Sequence, residues 1–102
     1  MKLEFYSEEK LKKEIKEIIW KHLNPGEYKV FFFGSRVKGD NFSRSDIDIG
    51  IKGPKEISAG VKSAIDKDIE DLPTLYKFDV IDFKGVSKKF EKEALKHIEY
   101  VK

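Results

Sequence analysis

Two aspartates, Asp46 and Asp48, fall in the stretch Asp46-Ile47-Asp48-Ile49-Gly50-Ile51, where polar and apolar residues alternate as they do along a β-strand. Successive strand side chains point to opposite faces, so the two carboxylates share one face and lie close together. Left alone they repel, and one of them tends to take up a proton. A divalent cation removes the conflict. Magnesium in particular favours one or two carboxylates, several waters and the oxygens of a substrate phosphate. The pair by itself also fits a plainer arrangement, with Asp46 capping the strand and Asp48 paired to a lysine.

Gly34-Ser35 adds a second component of phosphate chemistry. It follows the aromatic run Tyr28-Lys29-Val30-Phe31-Phe32-Phe33. A glycine at the end of a buried strand lets the backbone turn sharply and approach a ligand closely. The N–H groups that follow, with the Ser35 hydroxyl, can then cradle a phosphate, the more so where a helix begins. Residues 36–45 separate Ser35 from Asp46, so the turn and the carboxylates come from neighbouring strand ends and one triphosphate can touch both. The only arginines in the chain, Arg36 and Arg44, lie inside this window. Their planar fork suits phosphate oxygens. A third carboxylate is available in Phe78-Asp79-Val80-Ile81-Asp82-Phe83, which reads as a further strand. Asp79 and Asp82 then face opposite ways, so at most one joins the site, and the pattern alone does not choose between them.

The elements that must hold these groups can be read from the rest of the chain. A first helix is expected from about Glu8 to Leu23, capped by Ser7, with Leu11, Ile15, Ile18, Ile19 and Leu23 on its buried face. Asn24-Pro25-Gly26 ends it. Tyr28–Phe33 reads as a strand buried on both faces, and 34–45 as a loop with a short helix after Ser35. After the strand 46–51, a helix opens near Pro54 and runs to Leu72 on the stripe Ile57, Val61, Ile65, Ile69, Leu72. Residues 78–83 form the next strand. Ser87 caps a last helix with Phe90, Ala94, Leu95, Ile98 and Val101 facing inward. The fold class is therefore α/β (α+β): a small mixed sheet of three or more strands flanked by helices, in the order α-β-(α)-β-α-β-α. Trp20 and Phe31–Phe33 belong to the core on this reading. His22 and His97 sit near helix C-termini, where a cation is favoured without any catalytic role. The lysines of the last helix, Lys88, Lys89, Lys92 and Lys96, form a solvated face.

With 102 residues the chain is expected to make a single domain, 1–102, with one core. Charged and hydrophobic residues each account for 39%, which suits a folded domain with a dense surface charge. A formal net charge of +2 gives no general case for nucleic-acid binding. The lack of cysteine excludes disulfides, thiolate metal ligands and thiol nucleophiles. No stretch has the length and apolarity of a membrane span, and no targeting segment follows Met1, so the cytoplasm is the expected location.

Gly34-Ser35, Arg36, Gly39, Asp46-Ile47-Asp48 and the later Phe78-Asp79-Val80 together resemble the DNA polymerase beta-like nucleotidyltransferase superfamily. The likeness is strongest to its minimal nucleotidyltransferases, MntA-type antitoxins among them, and the element order of the whole chain looks like that family's core. The resemblance implies Asp79, not Asp82, as the third carboxylate. It implies that Asp46, Asp48 and Asp79 are catalytic and bind two magnesium ions, and that Gly34, Ser35, Arg36 and Lys38 hold the phosphates of ATP. Val37-Lys38 stand where the family commonly has alanine-arginine, and Lys38 keeps the positive charge. The implied reaction is attack of an acceptor hydroxyl on the α-phosphorus, with pyrophosphate leaving. The implied partner is a HEPN-domain ribonuclease toxin encoded by an adjacent gene, silenced by transfer of AMP to a tyrosine, in a homo- or hetero-oligomeric assembly. Two alternatives accompany this reading: a partner-capping module with a weak or vestigial nucleotide site, and a transferase acting on RNA or a small molecule. The balanced charge argues against RNA, and the short chain against a self-sufficient small-molecule enzyme.

Overall fold

The computed structural model describes residues 1–39 and 46–101. In chain order the elements are α1 (Glu8–Ile19), β1 (Lys29–Phe33), α2 (Ser35–Lys38), β2 (Ile47–Lys52), α3 (Ala59–Glu70), β3 (Phe78–Asp82), α4 (Lys88–Ala94) and β4 (Glu99–Tyr100). The strands form one mixed sheet in the order β3-β2-β1-β4. β1 runs antiparallel to β2 and β4, and β2 runs parallel to β3, with α3 as the crossover between them. This is the expected fold class.

Strand alternation divides the core in two. Val30, Phe32, Ile47, Ile49, Ile51 and Val80 pack with Leu11, Ile15, Ile18 and Ile19 of α1 and Ile65 and Ile69 of α3. Each such side chain contributes about 1.5–3 kcal/mol when fully buried. The opposite residues of β1, Phe31 and Phe33, pack with Phe83, and Ala94, Leu95 and Ile98 close over them. The aromatic strand is thus covered on both faces, and the carboxylate-bearing face of β2 is the one that meets α4. Gly50 sits under that aromatic cluster. A methyl there would run into the Phe31 ring and stand 2.7 Å from Phe83 Cε1, so the rings occupy the room that a side chain would need.

Serine caps set the starts of the three longer helices. Ser7, Ser58 and Ser87 each accept a hydrogen bond from the backbone three residues on, at 3.2, 3.3 and 3.1 Å. The ends of β1, β2 and β3 lie within one residue of those expected, and the large departures are at three helix termini. α1 stops at Ile19, and Leu23 N–H turns back onto the Ile19 carbonyl at 2.9 Å. α3 starts at Ala59, not near Pro54, because Ile57 N–H is already engaged by the Asp82 carboxylate. The last helix stops at Ala94, and Glu99–Tyr100 becomes a strand instead of a further turn of helix. A helix through Val101 would leave the outer edge of β1 unpaired; here Val101 N–H donates to the Val30 carbonyl at 2.9 Å. Among the described residues, no helix is long and apolar enough to cross a membrane.

Candidate active site

Gly34 leaves β1 with φ +83°, in the left-handed region where a side chain is strained. A Cβ at this position would also collide with Oδ2 of Asp48. The turn therefore lies directly against the carboxylate, as the register dictates, since Phe33 pairs with Asp48. The Gly34 carbonyl accepts from Val37 N–H and Lys38 N–H, both at 3.1 Å, and this closes the one-turn helix α2. Gly39, with φ +90°, ends it.

Parallel pairing sets Asp79 of β3 beside Asp48 of β2 in register. Asp46 lies just before β2 and is exposed. Burial pushes the Asp48 carboxyl up to about 6, and the negative charges of Asp79 and Asp46 push in the same direction. Asp79 and Asp46 thus both lie near enough to Asp48 to disfavour its ionisation. As they stand, no group of three Asp, Glu or His side chains among the described residues is close enough to enclose an ion. The donor set is all oxygen and centred on a carboxylate whose charge is unfavourable where it sits. That chemistry fits a hard divalent cation.

Asp82 is employed elsewhere. Its Oδ2 accepts from Ile57 N–H at 2.8 Å and its Oδ1 from Lys84 N–H at 3.0 Å. It ties the approach to α3 onto the end of β3, on the side of the sheet away from Asp48.

A cleft of about 390 Å³ opens between α2 and α4. Gly34, Ser35, Lys38 and Asp48 line one part of it; Phe90, Glu93, Ala94 and His97 line the other, together with Phe33. Arg36, expected with the phosphate-binding residues, is not in this lining. It is only 4% exposed, and its guanidinium stacks over the Tyr76 ring, 4.9 Å from the centroid. Tyr76 is anchored by accepting at its hydroxyl from Glu4 N–H at 3.0 Å and Phe5 N–H at 3.1 Å. Arg44 lies outside the described residues. Asp79 opens on a second concavity at the β3 edge, shared with Lys62, Asp66, Tyr76 and Lys77. His22, which has no partner nearby in sequence, meets Asp68 of α3 at 3.1 Å.

Sequence reasoning turned Phe90 and Ala94 inward as core; both instead wall the cleft, and Phe90 is exposed. The available signal was parity: Phe31 and Phe33 share a face with Asp48 across the strand pair, that face needs a cover, and the last helix was the element left to supply it.

The family model described as Polymerase beta, Nucleotidyltransferase matches residues 13–101. A search of curated proteins returned no significant match. Among solved structures, the chain is similar to a toxin–antitoxin crystal structure with AMP-PNP, at 15% identity and TM-score 0.72, over 89% of this chain and 72% of that one. It is equally similar in fold to a structure of a tri-AMPylated Shewanella oneidensis HEPN toxin in complex with MNT antitoxin, at 12% identity and TM-score 0.72, over 94% and 72% of the two chains. A putative nucleotidyltransferase from Sulfolobus solfataricus aligns at 27% identity and TM-score 0.53, over 90% of this chain and 77% of that one.

Proposed function

The chain belongs to the polymerase beta nucleotidyltransferase family, and from that membership we propose that it transfers AMP from ATP to a tyrosine hydroxyl of a HEPN-type ribonuclease, as the antitoxin of a toxin–antitoxin pair. The observation that carries the proposal is the placement of Asp48, paired in register with Asp79, under the Gly34-Ser35 turn. The likeness to solved toxin–antitoxin structures supports the choice of partner.

In this reading Asp46, Asp48 and Asp79 hold magnesium. Bound there, the metal neutralises phosphate charge and makes an acceptor hydroxyl more acidic. Ser35 and the backbone of the α2 turn hold the departing phosphates, with Lys38 adding a positive charge at the cleft. Asp79, exposed at the sheet edge, orients the acceptor hydroxyl and takes its proton. The acceptor oxygen bonds to the α-phosphorus, the bond from that phosphorus to the bridging oxygen breaks, and pyrophosphate departs.

The test is incubation of the full chain with α-labelled ATP, magnesium and the product of the neighbouring gene. Label on a tyrosine of that product, lost with Asp48→Asn, is the expected result. An unlabelled partner that is nonetheless neutralised, by wild type and Asp48→Asn alike, would replace transfer with capping.

A further inference from the structure

We propose that the α4 wall of the cleft, Phe90 with Ala94, Glu93 and His97, seats the nucleoside of the bound triphosphate, so that the base stacks on Phe90. This assignment rests on the nucleotidyl-transfer reading and adds to it the part of the site that grips the base and sugar. Phe90 is 42% exposed although two buried rings pack against it. The Phe33 centroid is 6.1 Å away with the rings at 89°, and the Phe83 centroid 5.8 Å away at 48°. An aromatic ring fixed in this way and left open to water is a stacking platform, and a base stacks on it whatever its hydrogen-bonding edge. Ala94 keeps the adjacent surface apolar and shallow. Glu93 and His97 offer polar atoms at its border.

The position of the wall argues for the nucleotide over the acceptor. The Gly34-Ser35 turn, Lys38 and Asp48 line the same cleft as Phe90. Asp79, the carboxylate assigned to the acceptor, lines the other concavity, at the β3 edge. A triphosphate held at the turn therefore has its own base and sugar within reach of α4, and the acceptor approaches from the opposite side of Asp48. A volume of about 390 Å³ falls in the range of small-ligand pockets.

The experiment compares binding of AMP-PNP and of inorganic tripolyphosphate, each with magnesium, by calorimetry on the full chain. Phe90→Ala should weaken AMP-PNP by roughly 5- to 100-fold and leave tripolyphosphate unchanged. Phe90→Tyr, which keeps the ring, should bind AMP-PNP within about twofold of wild type on the same grounds. If Phe90→Ala does not fold, Phe90→Leu keeps an apolar side chain without an aromatic face and should behave as expected for Phe90→Ala. Unchanged AMP-PNP affinity in a folded variant, or an equal loss of both ligands, would overturn the assignment while leaving the transfer reading intact. Unchanged AMP-PNP affinity with lost labelling of the partner would give the wall to the acceptor instead. Failure of wild type to bind either ligand would overturn the transfer reading itself, and the seat with it.

Discussion

Asp48, assigned above to the proposed metal site, carries a cost to the fold. Its carboxyl titrates near 6 in the folded chain, because burial and the charges of Asp79 and Asp46 disfavour ionisation, against an ordinary value of 3.8. The folded state thus holds a proton that the unfolded state has released between these values. The stabilisation from the protonated form is complete below about 3.8 and is lost as the pH rises through about 6. Asp48→Asn should therefore raise the Tm of metal-free protein at pH 8 and leave it unchanged near pH 3.5, while lowering transfer by about 10²–10³-fold or more; thermal melts across pH with a chelator present check the first part. Asp79 and Asp82 should separate cleanly. Asp82→Ala leaves Ile57 N–H and Lys84 N–H without their partner and should cost about 1–3 kcal/mol in urea unfolding with little change in transfer. Asp79→Ala should do the reverse. If both variants lose stability alike and activity alike, the division of labour between them is wrong.

Most of the elements were legible because their signals are local. The stripe Leu11-Ile15-Ile18-Ile19, the alternation through 46–51 and the serine caps each report on a few adjacent residues, and the structure places helices and strands there. The ends were less legible, because tertiary partners decide them: Asp82 claims the Ile57 amide, and β1 recruits Glu99–Tyr100 as a neighbour. The same holds at the site. The Gly34 turn and the paired aspartates announce themselves in sequence, whereas the Arg36–Tyr76 stack and the α4 wall depend on which helix lands on which face. Gly50 belongs to this second kind, an unremarked residue in a strand whose missing side chain admits two phenyl rings. Gly50→Ala should cost about 1–3 kcal/mol by overpacking, a larger loss than a surface alanine would cause, and denaturant melts would measure it. A neutral result would mean that the Phe31 and Phe83 rings can move aside.

Across the whole molecule, strand pairing and burial thin out from the centre of the sheet toward α4 and β4. β1 and β2 each have a hydrogen-bonded neighbour on both sides, while β4 contributes only Glu99–Tyr100 and α4 has no fully buried residue. Amide hydrogen exchange should be slowest in β1 and β2 and fastest in α4 and β4; mass spectrometry on peptic fragments gives the order, and an α4 as protected as β2 would contradict it. The thin cover over Phe31, Phe33 and Phe83 also matters during translation. The three phenylalanines leave the ribosome before residues 88–94 do, so for that interval the nascent chain displays an uncapped aromatic surface. A stall in that window would leave these rings open to chaperones or to other nascent chains.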